Sequence, residues 1–261
     1  MRIRGGFGGI VFFLLCFAVM PVGVWGQTNC DEGNGALDPA VPKTMSAQEV
    51  IQKFGAAEAA AKDGRLHYTF QQDVLMQTLS GGSVTGEFHE VTNVSYDEKG
   101  RPQETVTFAA QSTLRGIQLT QDDMEDIRIY MPLMLTSEDL PQYNLTYSGQ
   151  QHVDDLDTYV FQVDPKKKEE KDKRYFQGRI WVDGQDFQIV KVCGKSGPER
   201  IRTGRHQHSD LRPTFVTYRQ QVDGRYWFPA YTRSDDTLQF KAGAVRVRET
   251  IKYSAYKRGG Q

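Results

Sequence analysis

The sequence predicts a mainly β protein with some helix (α+β), in which an antiparallel sheet curls over one or more helices. From Leu66 onward, apolar and polar residues alternate along most segments, which is the period of a strand with one buried face. Turn residues recur at intervals of about ten residues, so successive strands are expected to pair antiparallel. One Ala-rich stretch has the signals of a helix. A closed barrel or a sandwich would also satisfy this pattern.

The first element is a helix that begins after Ser46. Ser46 and Glu49 have the spacing of a capping box, and the run AQEVIQKFGAAEAAAKDG ends at Gly64, where helices commonly stop. Three strands are expected to follow as a meander, in the segments 66–76, 84–96 and ETVTFAAQ. Alternate side chains of a strand share a face, so four residues are predicted to point to the concave side: Tyr68, Phe70, Val106 and Phe108.

The stretch TQDDMEDIRIYMPLML interrupts the alternation. Its apolar residues Met124, Ile127, Met131 and Met134 are three, four and three residues apart, which predicts one stripe of a helix starting at Thr120 or Gln121. Such a helix is a natural lid for the concave side, and its flexible thioethers would suit an apolar ligand of variable shape. Ordinary packing of a surface helix also explains the stripe. Pro132 predicts that the element is short or kinked.

From Thr158 the strand pattern resumes and continues almost to the end, in TYVFQV, RYFQGRIWV, FQIVKVC, TFVTYRQQV, RYWFPAYT, TLQFK and AVRVRETIKYSAYK. Two Asp-Gly pairs, 183–184 and 223–224, are predicted to form tight hairpin turns that need a positive φ. The run DPKKKEEKDK is a solvated loop or a docking site for a charged partner. Six more residues are candidates for the concave side: Tyr159, Phe161, Ile180, Val182, Val245 and Val247.

The N-terminus predicts export. Arg2 and Arg4 precede an apolar run from Phe7 to Val22 that is shorter than the roughly 20 residues of a membrane span, so residues 1–26 are expected to be a cleaved signal peptide. Residues 27–45 are expected to be a flexible leader, and residues 46–261 one domain. A soluble, periplasmic and monomeric protein is the expected product. Cys30 and Cys193 remain after cleavage in a compartment where disulfides form, and whether they pair stays open.

Charge and motifs exclude several classes of function. The signal segment holds two of the 32 basic residues and none of the 33 acidic ones, which leaves 30 minus 33, or −3, and no basic excess for nucleic acid. Gly-x-Ser-x-Gly, CxxC and HExxH are absent from the sequence, and GKS at 194–196 lacks the glycine of a phosphate loop, because Ile189 stands there. His206, His208 and Asp210 lie in a polar, turn-rich loop. We therefore predict no catalytic residue, no metal site and no cofactor.

The order of the segments resembles a known family. An export signal and a capped helix precede LHYTFQQDVLMQTL and GEFHEVTNVSYDEKGRPQETV, and GRIWVDGQDFQIVKVCG and VDGRYWFPAYT follow a short helix. Together, from about Ser46 to Lys257, they resemble the LolA-like superfamily, the periplasmic outer-membrane lipoprotein carriers and their relatives. The resemblance implies a strongly curved antiparallel sheet, a half-open barrel, closed on its concave side by helices around an apolar cavity that accepts acyl chains.

The resemblance also implies a function. We expect a non-enzymatic periplasmic carrier or binding protein for lipids or lipid-modified proteins, whose partners are acyl chains or lipoproteins and which contacts the membrane transiently. The alternative is a regulatory or scaffold protein that binds another envelope protein through its surface, since the members of the family include a sensor that restrains envelope-stress signalling.

Overall fold

The computed structural model describes residues 27–42, 45–125, 127–128, 131–166, 175–196, 212–240 and 243–259. The expected signal peptide, most of the charged run DPKKKEEKDK and the loop with His206 and His208 lie outside the described residues. Among the residues that the structure does describe, no helix is long and apolar enough to cross a bilayer.

Within the described ranges, ten strands form one antiparallel sheet in the order β3-β2-β1-β10-β9-β8-β7-β6-β5-β4. The strands are β1 (Tyr68–Ser80), β2 (Ser83–Tyr96), β3 (Pro102–Ala109), β4 (Tyr143–Val153), β5 (Leu156–Pro165), β6 (Gln177–Asp183), β7 (Ile189–Lys195), β8 (Phe215–Val222), β9 (Tyr226–Phe240) and β10 (Gly243–Arg258). The first and last strands of this order, β3 and β4, do not pair with each other, so the sheet is open. The expected class, a curved antiparallel sheet with few helices, is confirmed.

Helix α1 (Ala47–Arg65) fills the concave side of the sheet. Its capping box is formed as predicted, with Ser46 accepting a hydrogen bond from the Glu49 amide. Val50 and Phe54 are fully buried and belong to one apolar cluster with side chains from β1, β2, β4, β5 and β10. Because these strands lie at both ends of the sheet order, the sheet must curve around the helix for all of them to reach it.

The expected helix that starts at Thr120 or Gln121 is short, as Pro132 predicted, and does not extend to Met134. Helix α2 spans Gln121–Glu125, and the described residues 131–136 form no helix. Pro132 lacks an amide proton and its ring clashes with the preceding turn, which explains why the helix does not continue past it. Met124 packs at the edge of the main core, Met131 is buried within it, and Met134 joins a separate cluster around Tyr68 and Phe228. A short 3-10 helix, Leu140–Gln142, leads into β4.

The two Val-Asp-Gly segments form turns of different kinds. Asp223 and Gly224 both have positive φ (52° and 63°), as the predicted tight reversal requires. At 183–187 the expectation of a positive φ in Asp183-Gly184 is wrong, because the left-handed residue is Phe187 (φ 53°). Here the Asp183 carboxylate accepts hydrogen bonds from the amides of Gln185 and Asp186, and this side-chain cap holds the longer turn.

Residues 28–40, for which we expected a flexible leader, lie against the sheet, and we call them the strap. Cys30 is disulfide-bonded to Cys193 of β7. Farther along, Asp38 pairs with Gln150 on the free edge of β4. Beneath the strap, on the outer face of the sheet, lies a second apolar cluster built on Val160, Trp181, Val190 and Val216. The middle strands are therefore covered on both faces.

Candidate ligand cavity

A cavity of about 870 Å³ lies between the concave face of the sheet and the chain that links β3 to α2. On the sheet side it is bounded by β1, β9 and β10, next to the region filled by α1. Residues 114–120 of the link and the first turn of α2 close it from the other side. A space of this size falls within the range of small-molecule sites, roughly 300–1,000 Å³.

Apolar side chains, mainly aliphatic ones, form the larger part of the cavity wall. The alternation of β1, β9 and β10 turns Met76, Leu238 and Val247 toward the cavity, and the link and the residues after α2 complete the wall with Leu114, Ile117, Leu119, Ile127 and Met131. The link follows neither a helical nor a strand period. Its apolar residues therefore carried no local signal in the sequence, although they form one side of the cavity.

One side of the cavity is polar. Ser196, Arg212, Ser234 and Glu249 contribute to the wall, and Ser234 and Glu249 are almost fully buried. Ser234 and Glu249 are direct partners across β9 and β10, so their side chains share the concave face. The Ser234 hydroxyl donates a 2.7 Å hydrogen bond to the Thr214 carbonyl. Buried polar groups beside an aliphatic wall give the cavity two chemically different ends.

The residues predicted for the concave side fall into three groups. Met131 and Val247 line the cavity, and Val245 lies at its rim beside Gly116. A second group is buried in the cores around α1, away from the cavity wall: Tyr68, Phe70, Tyr159, Phe161, Ile180 and Val182. Phe161 packs on Phe54 of α1 with ring centroids 5.8 Å apart. The third group, Val106 and Phe108, is about half exposed on the edge strand β3.

The prediction that Val106 and Phe108 face the concave side together is wrong. Val106 pairs with Thr92, but a register shift follows and Phe108 pairs with Val91. This one-residue bulge reverses the face of Phe108, whose ring lies 4.9 Å from that of His89. His89 in turn contacts Asp73 at 2.9 Å on the outer face.

A fully buried ion pair, which the sequence interpretation missed, lies beside the apolar core. Arg219 of β8 donates two hydrogen bonds to the Glu58 carboxylate of α1, at 2.9 and 3.1 Å. Arg219 also donates to the Leu133 carbonyl, and Glu58 accepts from the Ile189 amide at 3.0 Å. The sequence did indicate a buried charge, because Glu58 falls on the same helical stripe as the apolar residues Phe54 and Ala61.

The outer face holds a buried lysine beneath the strap. Lys191 Nζ donates to the Asn34 side-chain oxygen at 2.6 Å and lies 4.9 and 5.0 Å from the ring centroids of Trp181 and Tyr218. Burial lowers the pKa of Lys191 to about 8, although the nearby Asp31 carboxylate opposes this shift. A smaller cavity of about 310 Å³ lies next to this cluster.

Within the described ranges, no three His, Cys, Asp or Glu side chains are arranged so that they would hold a metal ion. His206, His208 and Asp210 lie outside these ranges, so the interpretation of their loop stays a prediction.

No family model and no curated protein matches this chain. Among solved structures, a DUF1329 family protein from Desulfovibrio piger is 14% identical, with a TM-score of 0.37 over 78% of this chain and 93% of that one. A LolA superfamily protein from Nitrosomonas europaea is 14% identical, with a TM-score of 0.32 over 84% and 96%. A domain described as an outer membrane lipoprotein-sorting protein from Vibrio parahaemolyticus is 10% identical, with a TM-score of 0.35 over 80% and 92%.

At these identities and TM-scores the likeness carries no argument about the family or the function of this chain. The function of this protein must therefore be argued from its own residues.

Proposed function

We propose that this chain is an exported, non-enzymatic carrier or binding protein, which holds a lipid or the acyl chains of a lipid-modified protein in the cavity between its sheet and α2. The observation that supports this proposal is the cavity itself. The larger part of its wall is apolar and contains the thioethers of Met76 and Met131, which adapt to chains of different shape.

The energetics of burial favour an acyl ligand. Each methylene removed from water contributes about 0.8 kcal/mol, so a dozen buried methylenes contribute roughly 10 kcal/mol. Association costs of at least about 4 kcal/mol oppose this term. The difference is enough for useful affinity without a strong polar anchor, and small enough for the ligand to be released to an acceptor.

The disulfide supports export. A bond between Cys30 and Cys193 is typical of proteins that fold in an oxidising compartment such as the periplasm. N-terminal sequencing of the protein from a periplasmic fraction tests this part of the proposal. We expect the mature chain to begin at Gln27, and a chain that still carries Met1 in the cytoplasm would contradict it.

The binding proposal is tested by titrating delipidated mature protein with cis-parinaric acid, whose fluorescence rises in an apolar site. We expect saturable binding by the wild type. Leu238→Trp places a large ring on the cavity wall and should weaken binding by about tenfold or more. Val84→Trp, which changes an exposed residue of β2, is the matched control and should bind like the wild type. Absence of saturable binding by the folded wild type would refute the proposal.

The alternative function, binding of another envelope protein, is favoured by a different observation. The strap pairs with the free edge of β4, but every residue of β3 at the opposite edge is exposed. An open edge strand can accept an extended segment of a partner. If this is the main function, Val106→Lys should abolish capture of an envelope protein from cell extract while cis-parinaric acid binding stays unchanged.

A further inference from the structure

We infer that the ligand of the cavity is an amphiphile with a zwitterionic head, a phosphate joined to a primary amine, and that Arg212 and Glu249 bind this head. This inference rests on the proposed function, because it names the lipid class that the same cavity would take.

The polar residues of the cavity wall form a row across neighbouring strands. Glu249 of β10 pairs with Ser234 of β9, and Ser234 pairs with Phe215 at the start of β8. Arg212 lies three residues before the start of β8 and Ser196 directly follows β7, so both lie at the same end of the sheet as Ser234. Strand register thus brings a guanidinium, a carboxylate and two hydroxyls to one side of a single cavity.

The charges of the wall are of both signs and have different surroundings. A second carboxylate on the wall, Asp123, caps the first turn of α2, since it accepts hydrogen bonds from the amide and hydroxyl of Thr120 at 2.8 and 2.7 Å. Glu249 instead lies on a strand, with only about 2% of its surface exposed. Arg212 and Glu249 each have other interactions within the protein, and the head of the ligand would add to them.

A phosphoethanolamine head matches this pair of charges. A guanidinium binds two phosphate oxygens in parallel, and a primary ammonium donates up to three hydrogen bonds, which a carboxylate and hydroxyls accept. A phosphatidylglycerol head carries a phosphate for Arg212 but no ammonium for Glu249. Diacylglycerol would bring no charge for either group, and the quaternary ammonium of choline has no proton to donate.

Competition between lipids tests the inference. Mature protein loaded with cis-parinaric acid is titrated with dioleoyl phosphatidylethanolamine, phosphatidylcholine, phosphatidylglycerol or diacylglycerol, all in the same detergent. We expect phosphatidylethanolamine to displace half of the probe at a concentration lower by about tenfold than each of the others. Equal displacement by all four lipids would overturn the inference while leaving the cavity's acyl binding intact. Failure of the probe itself to bind would instead refute the proposed function.

Two variants separate the roles of the charges. Glu249→Gln should abolish the preference for phosphatidylethanolamine over phosphatidylglycerol, and Arg212→Gln should reduce the preference for phosphatidylethanolamine over diacylglycerol. Glu87→Gln and Arg248→Gln, which change the outer face, are the matched controls and should leave the order of the lipids unchanged. Retained binding of cis-parinaric acid shows that a variant is folded. A lipid order that is unchanged in both cavity variants would overturn the inference.

Discussion

At the scale of single residues, the Arg219–Glu58 pair links three parts of the fold. Its guanidinium and carboxylate are fully buried, and their hydrogen bonds join α1, β8 and the segment that follows α2. Burying two charges is costly, and the cost is repaid only while both partners are present and hydrogen-bonded. The pair therefore fixes the position of α1 on the sheet more than it adds net stability.

We expect Arg219→Met to lower the free energy of unfolding by about 3–5 kcal/mol, because it leaves the Glu58 carboxylate buried without its partner. The double variant Glu58→Leu/Arg219→Met should lose less than this single variant. Urea denaturation followed by circular dichroism measures both. Arg101→Met, which breaks an exposed ion pair with Asp97, is the control and should cost less than about 1 kcal/mol. A double variant as unstable as the sum of its single variants would contradict this account.

Lys191 predicts a dependence of stability on pH. Its pKa is lowered to about 8 in the folded protein from an ordinary value of 10.5, so between these values the unfolded chain binds more protons than the folded one. Stability from this group therefore rises as the pH increases through this window. Relative to Lys191→Met, the wild type should gain about 1–2 kcal/mol in the free energy of unfolding between pH 7 and 9.5. Parallel pH profiles of the two proteins would contradict it.

At the scale of elements, the strap is held by one covalent bond and by many weaker contacts. The disulfide joins residues 163 positions apart, and Asp31 forms a bidentate pair with Arg179, in which both hydrogen bonds are 2.9 Å long.

We expect the double variant Cys30→Ser/Cys193→Ser to lose about 2–5 kcal/mol of stability in urea denaturation. Asp31→Asn keeps the disulfide and should lose about 1 kcal/mol or less.

Reduction of the disulfide should also expose the second apolar cluster beneath the strap. Trp181 lies beneath the strap and is fully buried. In a mature chain that starts at Gln27 and carries Trp227→Phe, Trp181 is the sole tryptophan, so its quenching by acrylamide reports on the strap alone. We expect quenching to increase after reduction with dithiothreitol under native conditions. Unchanged quenching in the reduced protein would show that the hydrogen bonds hold the strap without the disulfide.

Elements with local signals were predicted from the sequence, and elements that depend on irregular or distant contacts were not. The capping box at Ser46 and the reversal at Asp223-Gly224 use nearby residues and are formed as expected. Strand β4 was missed, since a bulge between Tyr147 and Gly149 breaks its alternation. A bulge of the same kind on β3 is the reason why the alternation predicted the wrong face for Phe108.

The cavity shows the same limit. The alternation of side chains along β10 correctly placed Val247 on the concave face. It does not show whether a residue on that face packs against α1 or lines the cavity. That distinction depends on the length of α2 and the path of residues 114–120, which follow no period. The strap contacts are likewise long-range, and the two cysteines alone could not establish them.

At the scale of the whole molecule, the two apolar clusters share the same strands. Alternate residues of β5 to β8 face α1 on one side and the strap on the other, as Phe161 and Val160 illustrate. If these strands separated, both clusters would therefore be exposed to solvent. We propose on this ground that residues 46–261 form a single domain and that the strap packs against its outer face.

A single domain should unfold in one step. We expect the urea unfolding curves of the mature protein, followed by far-ultraviolet circular dichroism and by tryptophan fluorescence, to coincide within error. Trp181 reports on the second apolar cluster, whereas circular dichroism reports on the whole sheet. If the strap and this cluster unfolded before the rest of the protein, the two curves would therefore separate. Saturating oleic acid should move both midpoints to higher urea by the same amount, because a ligand that binds only the folded state stabilises the cooperative unit as a whole. A shift in one curve alone would show that the cavity and the outer cluster belong to separate units.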